Sequence, residues 1–170
     1  MSEALIAAGA EAPRFALPDL NGRMVDPLAP GSGDAAPVLL VFFKDDCPTC
    51  RFTLPFIERM RRLLEREYAG VPIYGISQDS PARTRAFMQE TGAAFPVLVE
   101  GEGYPVSTEY GLEAVPTVVL VGGDRKVLRS QPGFHRTTYA SIARELAGGK
   151  AAVLPPLFGA DESVPEARPG

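Results

Sequence analysis

Two thiols carry most of the chemistry available to this chain. Cys47 and Cys50 are the only cysteines in 170 residues, and they stand in the run Asp46-Cys47-Pro48-Thr49-Cys50-Arg51. An ordinary thiol has a pKa near ~8.5, and the nucleophile is the thiolate. The apolar run Val38-Leu39-Leu40-Val41-Phe42-Phe43 before the pair predicts a buried strand, and the pattern after it predicts a helix over 48–68. The first turn of a helix has unpaired N–H groups and the positive end of the macrodipole, both favouring negative charge. Cys47, at or just before the N-cap, is therefore expected to be the more acidic and more exposed thiol. Pro48 suits the first helical position. Cys50, one turn along, is close enough to close a short disulfide. Lys44 and Arg51 add positive potential, and Asp45 and Asp46 oppose it. A thiol pair at a strand-to-helix junction is suited to redox exchange.

Other uses of the motif stay open at this point. A C-x-x-C is half a zinc site, and the single histidine, His135, is too little to complete one without a second chain. A static structural disulfide and a remnant pair in an inactive relative are further readings. His135 reads as a loop residue rather than a ligand.

The length suits one domain, and 45% hydrophobic residues suffice for a core. Two cysteines are too few for a disulfide scaffold. A net charge of −4 and the lack of a basic cluster argue against nucleic acid as partner. Residues 1–12 lack the cationic and apolar pattern of a signal peptide, and no stretch approaches a membrane span. The expectation from these is a soluble, cytoplasmic protein.

Residues 1–12 read as a flexible leading segment. Asn21-Gly22, between Phe15/Leu17 and Met24, signals a hairpin, and 26–37 a loop. Helix 48–68 has an apolar stripe of Phe52, Phe56, Met60, Leu63 and Leu64 and a charged face that includes Glu58, read as solvated. Pro55 is expected to kink it and Gly70 to end it. Further strands are expected at 71–77, 97–99, 117–121 and 126–130. Ser80-Pro81 opens a helix over 81–91, a helical turn fits 105–110, and a last helix 137–147. Residues 150–170, with Pro155, Pro156, Pro165 and Pro169, read as an extended or disordered tail, with Val153, Leu154, Leu157 and Phe158 able to dock. The body, 13–149, is an α/β sandwich with a mixed sheet.

The chain resembles thioredoxin-fold proteins of the TlpA-like and redoxin (AhpC/TSA-related) branch. The resemblance rests on the Ala12-Pro13…Phe15…Leu17-Pro18-Asp19-Leu20-Asn21-Gly22 hairpin, the C-P-T-C at a strand-to-helix junction with Pro55 five residues later, and Ala114-Val115-Pro116-Thr117 before a β-branched strand. It implies a three-layer α/β/α sandwich with a central mixed sheet, an N-terminal β-hairpin and an inserted helix–strand unit at 81–99. It also implies a cis peptide before Pro116, with Pro116 facing the cysteines and the backbone of Val115 free to pair with an extended substrate. Two departures stand out. Val41 takes the place of a buried acid that helps the second thiol lose its proton, and Asp46 that of a tryptophan.

The resemblance implies a thiol–disulfide oxidoreductase with no cofactor, and the expected intracellular setting favours the reductase direction. Cys47 would be the nucleophile, Cys50 the resolving thiol and Pro116 the shaper of the groove; Pro48, Thr49 and Val115 would line it. Its partners would be a protein or small-molecule disulfide and an electron donor the sequence does not name. A peroxiredoxin-type peroxidase is the alternative. Its Pro-x-x-x-Thr-x-x-Cys pattern fails at both cysteines: Leu40 and Lys44 stand in the Pro and Thr positions before Cys47, and Phe43 and Cys47 before Cys50. A non-enzymatic redox-fold or metal-binding module is the third reading.

Overall fold

Strand β3 (Val38–Phe43) runs through the middle of a five-stranded sheet, and its last five residues are buried. The architecture comes from a computed structural model that describes residues 4–29, 36–66 and 71–170. A short hairpin, β1 (Leu17–Pro18) and β2 (Met24–Val25), precedes β3. After it come α1 (Pro48–Glu65), β4 (Ile73–Ser77), α2 (Pro81–Thr91), β5 (Val97–Val99), α3 (Pro105–Glu109), β6 (Thr117–Val121), β7 (Val127–Pro132), β8 (Phe134–His135), α4 (Arg136–Ala147) and β9 (Ala167–Arg168). The sheet order is β5-β4-β3-β6-β7. Strands β4 and β5 run parallel to β3, while β6 is antiparallel to it and β7 to β6.

Side chains alternate across a strand, so β3 feeds two cores. Leu39, Val41 and Phe43 face a cluster built with α1, α2 and α4 through Leu54, Ile57, Met60, Phe87 and Ile142. Leu40 and Phe42 face the other side, against Ala12, Leu17, Leu28 and Tyr110. Turn chemistry sets the hairpin: Asp19 Oδ1 accepts from the N–H groups of Asn21 and Arg23, and Gly22 takes a positive φ of 83°. An isolated bridge, Asp19 to Leu98, joins this hairpin to the β5 edge.

Three expectations need correcting. Residues 4–12 are not loose: Ile6 N–H donates to the Tyr110 carbonyl, Gly9 N–H to Val127 and Ala12 N–H to Arg125, and Ala12 is fully buried. Glu58 is not on a solvated face: it is 3% exposed, and its carboxylate accepts from Arg61, Arg62 and the Ala94 N–H. Burial pushes that carboxyl up, but the Arg61 and Ala94 hydrogen bonds outweigh it and hold it below the usual range. Third, 150–170 is ordered against the body. A 3-10 turn (Gly148–Val153) follows α4, Leu157 and Phe158 enter the core, and β9 pairs with β8. The expected helix stop at Gly70 and the loop residues 30–35 lie outside the described residues. No described helix is long and apolar enough to cross a membrane.

Candidate active site

Strand β3 ends at Phe43, and the turn 44–46 delivers Cys47 to the N-cap of α1. Cys47 has extended backbone (φ −105°, ψ 111°), and Pro48 opens the helix. A first-turn amide without a helical partner is met by the sulfur: Cys50 N–H donates to Cys47 Sγ at 3.0 Å. Cys47 is half-buried and Pro48 exposed, while Cys50 is fully buried. Both cysteines are free thiols. Burial, and then its hydrogen bond with Cys47, push the Cys50 thiol far above its ordinary value. The pair is therefore asymmetric in the sense that the spacing predicts: one cysteine is half-buried and the other is enclosed.

The loop before β6 closes the other side. The Val115–Pro116 peptide is cis, and Cys47 Sγ donates to the Val115 carbonyl at 3.3 Å. Residues 68 positions apart in sequence thus meet at the Cys47 sulfur. Thr117, just past the proline, donates from Oγ1 to the Ala114 carbonyl at 2.7 Å and pins this loop. All six residues singled out from sequence (Cys47, Pro48, Thr49, Cys50, Val115 and Pro116) lie on the CxxC turn or this loop. The backbone of Val115 is not free, however: its carbonyl is met by Cys47 and by Gly170.

The charges around the motif are largely spent on one another. Arg51 pairs with Glu90 at 2.7 Å and lies over the Phe87 ring. Lys44 donates to the Tyr104 hydroxyl at 3.3 Å and stands 3.8 Å from Asp46. Asp45 takes two hydrogen bonds from Arg83, and its N–H donates to Asp79 at 2.7 Å. The positive potential expected of Lys44 and Arg51 is thus partly neutralised.

Several residues near the thiols were not legible in the sequence. Asp79 is 5% exposed and anchors the 44–46 turn from below; burial pushes its carboxyl up, against the Asp45 N–H that holds it down. Val41, in place of an acid, is fully buried among apolar groups. Three residues past Cys50, Thr53 has a buried Oγ1 with no partner among the described residues, and the Tyr139 hydroxyl donates to the Gly133 carbonyl. Burial, and then the neighbouring Cys50, push that phenol up, so it stays neutral. His135 is not a loop residue: it ends β8 and caps α4, with Nδ1 accepting from the Thr138 N–H at 3.2 Å.

The chain is similar to several known proteins. Thiol-disulfide oxidoreductase ResA of Halalkalibacterium halodurans is 28% identical over 130 residues, 76% of this chain and 70% of that protein. ResA of Bacillus subtilis is 27% identical over 129 residues, 75% of this chain and 69% of the relative. The solution structure of a thiol:disulfide interchange protein from a Bacteroides species superposes with a TM-score of 0.68 at 20% identity, over 88% of this chain and 95% of that one; at this identity it speaks for the thioredoxin-like fold alone. The model of the AhpC/TSA family matches residues 8–130, most of the chain including both cysteines and the cis-proline loop, and the chain belongs to that family.

Proposed function

We propose that this AhpC/TSA-family oxidoreductase reduces disulfides by dithiol exchange, with Cys47 attacking and Cys50 resolving. Cys47 thiolate attacks one sulfur of the substrate disulfide; that bond breaks, a mixed disulfide forms, and the departing thiolate takes up a proton. Cys50 then gives up its proton and attacks Cys47 Sγ. The second substrate thiol leaves, and the pair remains as a disulfide for a donor dithiol to reduce. Two electrons pass to the substrate in each round.

The observation that carries this reading is the half-buried Cys47 Sγ between the Cys50 amide at 3.0 Å and the Val115 carbonyl at 3.3 Å. That amide donor serves a sulfur bearing negative charge, before attack and again as a leaving group. Burial of Cys50 makes the resolving step the harder one, since its proton must leave a site without a carboxylate at Val41. Pro48, Thr49, Val115 and Pro116 are assigned to the groove along which the substrate approaches.

Insulin reduction by the wild type and by two variants tests the assignment. Cys47→Ser is expected to lose turnover by at least about a thousandfold, and Cys50→Ser to accumulate a mixed disulfide visible by mass. Retained turnover in Cys47→Ser ends the proposal. The reduction potential gives the direction: about −270 mV marks a reductant, and about −120 mV an oxidant. Rapid peroxide consumption in stopped flow would favour the peroxidase alternative instead.

A further inference from the structure

The site just described already has a peptide in it, and the peptide is this chain's own. Leu157 and Phe158 anchor the returning segment, with the Phe158 ring 5.2 Å from Phe56 and 5.9 Å from Phe134. Glu162 then pairs with Arg59 through two hydrogen bonds of 2.7 and 2.9 Å. The Arg136 guanidinium donates to the Val164 carbonyl, and its backbone N–H to the Glu166 carbonyl. From there the chain is extended: Ala167 and Arg168 pair antiparallel with His135 and Phe134.

The last residues run onto the site itself. The Arg168 guanidinium lies 4.5 Å from the centroid of Phe52, two residues past Cys50. Thr49, between the two cysteines, donates from Oγ1 to the Pro169 carbonyl at 2.7 Å. Gly170 packs against the Val115 carbonyl so closely that a side chain there would collide with it and come within 3.3 Å of the Ala114 Cβ. Thr49 is only 7% exposed. The segment thus uses strand pairing, a backbone carbonyl and one cation over a ring, which are the means by which folded domains hold extended peptides.

We propose that residues 164–170 are a built-in occupant of the groove beside Cys47, in the position an extended polypeptide substrate would take, so that polypeptide disulfides gain Cys47 only when this segment lifts. The inference rests on the dithiol reading above and deepens it. It assigns the groove an extended peptide as ligand, with Phe52 as the seat for a cationic side chain and Thr49 as the donor to a peptide carbonyl. Small disulfides and small alkylating agents reach the half-exposed sulfur past the segment. A segment closed nine-tenths of the time lowers apparent access about tenfold.

The test compares wild type, a variant lacking 163–170, and Arg168→Ala, in case the deletion does not fold. Cys47 is alkylated in the reduced protein with iodoacetamide and with a polyethylene-glycol maleimide, and reduction of insulin and of hydroxyethyl disulfide is followed in parallel. The deletion is expected to raise the bulky-probe rate and the insulin kcat/KM about tenfold, changing the small-probe and small-disulfide rates less than about twofold. Arg168→Ala should raise the bulky-probe rate roughly two- to fivefold, as expected for loss of one cation–ring contact. Equal bulky-probe rates in every folded variant overturn the inference, as does a uniform change in both probes. Failure of the dithiol reading looks different: no protein reduces either disulfide, whatever the alkylation rates.

Discussion

Residues 4–12 and 154–170 pack against opposite sides of the molecule, and both differ from the loose segments their composition suggests. The first is held by backbone hydrogen bonds to β7 and the loops beside it, and covers the Leu40 and Phe42 face. The second is anchored by the buried Leu157 and Phe158 and by the two-residue pairing of β9 with β8, but its course to the cysteine turn relies on side chains, Arg59, Arg136, Thr49 and Phe52 among them. Backbone pairing to a sheet neighbour is part of the core's own cooperativity. Side-chain clasps that are half in water are each worth little and open independently. The difference suggests that the first segment serves stability and the second serves access.

Variants at three positions would sharpen or break that contrast. The largest effect is expected at Gly111, which has φ 71° and lies tightly against the Ala4 carbonyl. Gly111→Val should destabilise the fold by about 3 kcal/mol in denaturant melts, through a disfavoured backbone and a clash. Its bulky-probe alkylation of Cys47 under native conditions should stay at the wild-type rate. A raised rate would mean that the two faces communicate.

Next is Glu58, on the helix that carries the thiols but away from them. Glu58→Gln should cost about 2 kcal/mol, since the arginines and the Ala94 N–H lose a charged acceptor. The folded pKa is depressed, so this stabilisation is complete above the unfolded value near ~4.3 and drains away as pH falls through the folded one. The gap between wild type and variant melts should therefore close in acid. A gap that persists unchanged would show that the carboxylate charge is not what matters there.

The smallest stability effect belongs to Arg59→Ala, which frees Glu162. Both partners are partly exposed, at 41% and 31%, so the loss of stability should be slight. Access to Cys47 should nevertheless rise, because this pair guides the segment toward the site. A stability loss with no gain in access would make the second region as purely structural as the first.

Much of the local structure was legible in the chain because it has local causes. The β3 and β6 strands fall where the apolar and β-branched runs stand, and α2 opens where Ser80 and Pro81 predict, with the Ser80 side chain accepting from the Arg83 N–H. The asymmetry of the thiols follows from their offset along one helical turn. Glu58 misled because its neighbours in sequence look solvated, while the Ala94 N–H that meets its carboxylate comes from 36 residues away. Asp79 gives no local sign of its depth beneath the 44–46 turn.

Residue types and short-range spacing determined the elements and the presence of a redox-capable pair at a helix start, since periodicity, caps and turns act within a few residues. Long-range packing alone decided what surrounds that pair: the Val115 carbonyl at Cys47, the polar neighbours of Cys50, and the stretch Ala167–Gly170 across Thr49 and Phe52. Proline content and scattered acids describe how a free segment behaves in water. Whether it stays there depends on the pockets and carbonyls that the rest of the fold presents to it.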